Sequence, residues 1–256
     1  MHPMVPYWWY KSAVSAENCR RILDLGLDTI AAQRTQGMAT TGTTFGASHR
    51  GAARAGAQAA ADRTLDDLTG GGSDTATREK VKAQTYIRDC ELCFLNEDWI
   101  YQLIYPLVVD ANARAGWHYE FDYAEPVQFT VYHPGNFYGW HIDGHTCHHS
   151  AFRLREPATV LSEGRTPKFL VDNPRMVGKV RKLSITVNLS PPDSYQGGNL
   201  KFDFGPHARE RFHECEEIRP QGSAVVFPSY IYHEVTPVIS GTRYSMVLWA
   251  LGQPFR

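Results

Sequence analysis

Between Val127 and Leu251 the chain carries seven short runs rich in β-branched and aromatic residues: Val127 to His133, Phe137 to Ile142, Leu183 to Leu189, Asn199 to Phe204, Ser223 to Phe227, Ile231 to Thr236 and Thr242 to Leu251. Each is bounded by Gly, Pro or Asn, the punctuation of strands and turns. So many short strands in one stretch are best satisfied by two facing sheets closing round a pocket, a jelly roll. The expected architecture is mainly β with flanking α. Its core is a double-stranded β-helix of the cupin-like kind, with N-terminal helices packed on one sheet.

The first half reads differently. Ser15 to Ala32 places Cys19, Ile22, Leu23, Leu25 and Ile30 among charges and predicts a helix, with Ser15 and Asn18 forming a partial capping box. Asn96 to Ala115 predicts a second helix, with Trp99, Leu103, Leu107 and Ala111 at helical spacing and Pro106 marking a kink or break. Tyr86 to Phe94 reads as one strand before it. Residues 37–74 are rich in Ala, Gly and Thr and poor in large apolar side chains, which predicts a mobile surface insertion, with Ala52 to Leu68 able to form a loosely packed helix. The expected organisation is one domain over 1–256: helical support over 1–120 and a catalytic core over 121–256. A basic insertion over 144–181 carries Arg153, Arg155, Arg165, Lys168, Arg175, Lys179 and Arg181, and reads as either a lid or a solvated surface.

A formal net charge of -1 gives no global attraction to nucleic acid or anionic lipid. No apolar run approaches the ~20 residues of a membrane helix, and the N-terminus does not read as a signal peptide. Five cysteines without an export signal are expected to be reduced thiols, which makes the cytoplasm the default location.

Chemistry concentrates at His141-Ile-Asp143, at the end of an aromatic strand. Side chains of a strand alternate, so His141 and Asp143 share one side and can face one ion. His233 is the third candidate ligand, brought by a strand-turn-strand from across the barrel. Two imidazoles and a carboxylate on one face of an octahedral ion leave the opposite face open, the arrangement of non-haem Fe(II) oxygenases. Arg243 and Ser245 alternate onto one face of the last strand, where a guanidinium and a hydroxyl can bind the carboxylate of a dicarboxylate cosubstrate. His118-Tyr-Glu120 offers the same donor types without the strand context and is set aside as a decoy.

These residues carry a resemblance. Tyr132, Gly135, Tyr138, His141 and Asp143, the run Lys182 to Ser190, Gly197-Gly198-Asn199-Leu200, His233 and Arg243 resemble the 2-oxoglutarate and Fe(II)-dependent dioxygenases of the prolyl 4-hydroxylase-like group, particularly PKHD-type hydroxylases. The resemblance covers roughly the second half of the chain. It implies that His141, Asp143 and His233 hold Fe(II), that Arg243 pairs with the distal carboxylate of 2-oxoglutarate and that Tyr132 donates a hydrogen bond to it. Ser184, Ser245 and Trp249 are further candidates for that pocket. It also implies hydroxylation of an unactivated C–H bond, in a prolyl or other amino-acid residue of a peptide or protein, with O2 consumed, succinate and CO2 as coproducts and ascorbate as reductant.

Other classes stay open on the sequence. Asp143 argues against a halogenase, where a small residue replaces the carboxylate. Trp249 stands where nucleic-acid demethylases of this superfamily carry a second arginine, which argues against a nucleic-acid substrate. A nucleic-acid or small-metabolite oxygenase on the same site, a catalytically silent metal-binding jelly roll, and a zinc site from His145, Cys147, His148 and His149 are the remaining alternatives. Cys90-Glu-Leu-Cys93 lacks a second pair and reads as ordinary packing. The cluster Tyr7, Trp8, Trp9 and Tyr10 reads as a core anchor.

Overall fold

The computed structural model describes residues 5–36, 44–45, 86–144, 151–154 and 170–255. The expected 37–74 insertion lies outside these apart from Thr44–Phe45, and so does the helix expected over 52–68. In chain order the elements are β1 (Trp8–Tyr10), α1 (Ala16–Thr35), β2 (Thr44–Phe45), β3 (Tyr86–Asp89), β4 (Glu91–Leu95), α2 (Asp98–Arg114), β5 (Tyr123–Ala124), β6 (Val127–Tyr132), β7 (Phe137–His141), β8 (Arg153–Leu154) and β9 (Leu170–Val171). They continue with β10 (Val180–Asn188), β11 (Tyr195–Gly197), β12 (Leu200–Asp203), β13 (Phe212–Glu214), β14 (Ala224–Pro228), β15 (Tyr232–Val235), β16 (Val238–Gly241) and β17 (Arg243–Gly252).

Two antiparallel sheets face each other as a jelly roll. The larger runs β1-β14-β10-β17-β6-β4, with β5 on β17; the smaller runs β13-β12-β15-β7-β3-β2. Strand alternation gives the larger sheet two distinct faces. Val127, Phe129 and Val131 of β6, Leu183, Ile185 and Val187 of β10, and Met246, Leu248 and Ala250 of β17 form one apolar face, which the helices cover. The residues between them, Thr130 and Tyr132, Ser184, and Arg243 and Ser245, are also buried and point the other way, toward the smaller sheet.

Each helix docks by the stripe its sequence supplies. Ser15 caps α1, its hydroxyl accepting from the Asn18 amide at 3.2 Å, and Cys19, Ile22, Gly26 and Ile30 form the buried side. Gly26 is needed for the contact: a Cβ there would stand 2.5 Å from the Phe129 ring. Helix α2 runs unbroken through Pro106 and is turned one residue from the expected stripe: Ile100, Ile104, Val108 and Ala111 are buried, while Trp99, Leu103 and Leu107 flank them half-buried. The expected break does not occur; packing against the sheet holds the helix together where local propensity weakens it.

Three further expectations need correction. The strand read over Tyr86 to Phe94 is two strands in different sheets, β3 on β7 and β4 on β6, with Cys90 between them. Within the expected 144–181 insertion, Val180 and Arg181 already belong to β10, while β8 and β9 form a small parallel pair. Arg155, Arg165 and Lys168 lie outside the described residues. In the N-terminal aromatic cluster, Trp8 and Tyr10 join the main core and Tyr7 packs on a second cluster, but Trp9 is 44% exposed.

Candidate metal centre and cosubstrate pocket

His141 and His233 are direct cross-strand partners on β7 and β15. The third ligand therefore comes from the adjacent strand and not from across the barrel, because hydrogen-bonded strands bring opposite residues within about 5.5 Å. Their rings lie 4.2 Å apart between centroids. Asp143 sits just past the end of β7, where its own amide and that of Gly144 both donate to the Ser229 carbonyl at 2.9 Å. This pins the turn so that the carboxylate points at both imidazoles, with His141 Nε2 3.6 Å from Oδ1 and His233 Nε2 3.7 Å from Oδ2. Candidate ligand atoms of the three residues lie within 4.8 Å of one another.

The surroundings prepare the donors. Nδ1 of His141 lies 2.8 Å from the Gly139 carbonyl, and Nδ1 of His233 lies 2.9 Å from that of Ile231, so each ring is oriented with Nε2 toward the shared site. Ser184 donates to Asp143 Oδ2 at 2.6 Å and is linked to Ser229 at 2.9 Å. Burial, together with the neighbouring His141, pushes His233 down to about 4, so its ring is neutral at neutral pH. Burial opposes ionisation of Asp143, but its interactions with His233, His141 and the Arg181 guanidinium outweigh it and hold the carboxyl well below the usual range. Two imidazoles and one carboxylate on one side of a point fit a divalent ion with open positions, and the donor set suits iron. Tyr138 stacks on His141, centroids 3.4 Å apart.

The residues expected to bind the cosubstrate carboxylate lie on the larger sheet. Arg243 is 2% exposed, pairs with Tyr132 across β6 and β17, and its Nη1 donates to Ser245 at 3.3 Å. Its guanidinium lies 5.3 Å from the centre of the Tyr132 ring. Burial raises the Tyr132 phenol, which stays a donor. The Gly-Gly-Asn-Leu motif has a physical reason here: Gly198, at φ +61°, leaves room for Arg243, whose Cδ would stand 2.8 Å from a Cβ at that position.

Ser184 belongs with Asp143 and not beside Arg243, since it stands opposite Trp249 and its hydroxyl is used by the carboxylate. Trp249 forms a wall of the same face with Arg181 stacked 3.8 Å above it. Arg181, read from the sequence as part of a basic loop, forms a two-pronged pair with Glu125 at 2.5 and 2.6 Å and reaches the Asp143 carbonyl at 3.3 Å. The sequence reading missed Glu125, Ser229 and Arg88. The only available signal was a charged or polar residue inside an otherwise apolar strand or at its end.

The decoy His118 takes a left-handed turn at φ 52° and joins no cluster of metal-ligating groups among the described residues. Cys19, Cys90, Cys93 and Cys215 are buried; Cys90 and Cys93 lie in different clusters, in keeping with packing. The alternative zinc ligands at 145–149 lie outside the described residues. No helix among the described residues is long and apolar enough to cross a membrane.

Residues 127–251 match the 2OG-Fe(II) oxygenase superfamily. A PKHD-type hydroxylase of Synechococcus sp. (strain CC9605) is 42% identical over 89 residues, 34% of this chain and 37% of that protein. The chain thus spans well under half the length of this curated relative. Among solved structures, a viral collagen prolyl hydroxylase from Paramecium Bursaria Chlorella virus-1, in its 2OG complex, superposes with a TM-score of 0.51 at 14% identity, covering 97% of each chain. A prolyl hydroxylase from Trichoplax adhaerens, in complex with a hypoxia inducible factor oxygen degradation domain peptide fragment, gives 0.51 at 14% identity over 96% of this chain and 83% of that one. At these identities the structural likeness concerns the fold.

Proposed function

We propose that this chain, whose residues 127–251 belong to the 2OG-Fe(II) oxygenase superfamily in its prolyl 4-hydroxylase-like branch, hydroxylates an unactivated C–H bond of a prolyl or other amino-acid residue in a peptide or protein. The observation that carries this reading is the convergence of His141, Asp143 and His233 beside a buried Arg243 in one pocket. When bound, Fe(II) activates O2 while 2-oxoglutarate supplies electrons and leaves as succinate and CO2.

The protein's contribution is orientation and exclusion of water. His141, Asp143 and His233 hold the ion, and Ser184 keeps the Asp143 carboxylate turned toward it. Arg243 takes the distal carboxylate of 2-oxoglutarate in a charge-assisted pair, with Ser245 and the Tyr132 hydroxyl as neighbouring donors. Trp249 and Arg181 wall the pocket near Asp143. Ascorbate serves as the outside reductant. The buried thiols of Cys19, Cys93 and Cys215 fit a reducing, cytoplasmic setting.

The test is succinate formation from 2-oxoglutarate with a proline-rich peptide present, followed by mass spectrometry of the peptide. Gain of one oxygen atom per succinate, absent in Asp143→Ala, supports the reading. Absence of succinate from folded, Fe(II)-loaded protein refutes it.

A further inference from the structure

Arg88 is a buried cation with no counter-ion among the described residues. It stands on β3 directly opposite Tyr138, which in turn stands opposite Val235, so all three share the inner face of the smaller sheet with the metal ligands. Its guanidinium lies 4.7 Å from the Tyr138 ring, and that ring stacks on His141. Nε donates to Cys90 Sγ at 3.1 Å, while Nη2 is buried and has no hydrogen-bond partner among the described residues. The residue is 8% exposed, so solvent does not replace the missing partner.

Among the described residues, the side chains it touches are a thiol and a phenol, Cys90 and Tyr138. Burial raises the Cys90 thiol, although Arg88 itself opposes this, and burial raises Tyr132 and pushes Tyr138 up to about 12. Arg181 on the same pocket has Glu125. On the function proposed above, Asp143 and a dianionic cosubstrate together balance a divalent ion and Arg243. Arg88 is left over, and a buried guanidinium with an unused N–H is costly unless a ligand supplies the anion.

We propose that Arg88 anchors a carboxylate of the acceptor substrate, so that the acceptor is a free amino acid, a C-terminal residue or a residue beside an acidic group. This rests on the oxygenase reading and narrows its substrate class. The carboxylate docks beside Tyr138, one ring removed from His141, and the neutral phenol of Tyr138 is available as a second donor. A site that presents a buried donor to a carboxylate rejects the uncharged analogue, because the donor is then stranded.

The test uses anaerobic protein loaded with Mn(II) and saturated with 2-oxoglutarate, titrated with N-acetyl-L-proline and with N-acetyl-L-prolinamide, which differ in charge at nearly constant shape. Wild type is expected to prefer the acid by on the order of tenfold, as one charge-assisted hydrogen bond predicts. Arg88→Gln should erase the preference and Arg88→Lys should retain part of it, with 2-oxoglutarate affinity within about twofold of wild type in both. Equal affinity for acid and amide in wild type, including no binding of either, overturns the proposal, as does a preference that survives in Arg88→Gln. A large loss of 2-oxoglutarate affinity in Arg88→Gln overturns it too, since Arg88 would then serve the cosubstrate. Failure of wild type to take up Mn(II) and 2-oxoglutarate at all would instead overturn the oxygenase reading itself.

Discussion

The two sheets face the same pocket but are built on different terms. The larger sheet is covered behind by α1 and α2, so every alternate residue of β6, β10 and β17 enters a continuous apolar core, and the pocket-facing residues between them are held rigidly by that backing. It carries the buried Arg243, the proposed partner of the cosubstrate carboxylate. Among the described residues the smaller sheet has no helix of the main core behind it; it exposes Tyr232 at 52% and Phe212 at 54% on its strands, and carries both histidines. Stability is concentrated in one sheet and metal chemistry in the other, and damage to either should be separable.

The largest separation is expected at the ligands. Asp143→Ala should abolish metal binding and reduce turnover by at least about a thousandfold, while far-UV circular dichroism and the thermal midpoint stay close to the wild-type apoprotein. A variant that unfolds would show that the triad is part of the stabilising core, which breaks the comparison. On the larger sheet the reverse holds. Phe129 is fully buried against Gly26, and Phe129→Ala should cost about 3–5 kcal/mol in denaturant unfolding. Metal affinity of the fraction that remains folded should change little.

Acid should act through the smaller sheet. His233 is held at about 4 by burial and by His141, against an ordinary value of 6.5. As pH falls below 6.5 the unfolded chain takes up this proton and the folded chain does not, so stability is lost progressively until about pH 4, where the folded form also protonates. The loss from this group is about 3 kcal/mol, readable as a falling urea midpoint of the apoprotein. His233→Gln should flatten that slope; an unchanged slope would place the pH response elsewhere. The smallest effect is at the link between the sheets. Ser184 on β10 reaches across to Asp143, so Ser184→Ala should weaken metal binding by roughly tenfold without changing the unfolding midpoint, as measured by Mn(II) titration.

Much of this was legible because alternation and punctuation are local. The seven runs from Val127 onward became strands with end shifts of at most three residues, and His141, Asp143 and His233, expected to share a site from donor type, strand context and the family resemblance, do come together. What failed was pairing. Nothing in Tyr86 to Phe94 says that the chain leaves one sheet at Cys90 and joins the other, since both halves look like a strand. The short strands β11, β13 and β16 carry too few apolar residues to announce themselves, and they are held by partners distant in sequence. Ser184 was a further candidate for the cosubstrate pocket through the resemblance; only three-dimensional register shows that its hydroxyl meets Asp143. Glu125, Arg181 and Arg88 are single charged residues whose meaning lies in what surrounds them once folded.

The most direct test of the account is anaerobic titration of Fe(II) and 2-oxoglutarate into the apoprotein, following the weak visible charge-transfer band. The account predicts a band in wild type, none in His141→Ala, and in Arg243→Ala a band that appears only at much higher 2-oxoglutarate. Absence of the band in folded wild-type protein, or its undiminished appearance in His141→Ala, would contradict the assignment of this pocket as an Fe(II) and 2-oxoglutarate site.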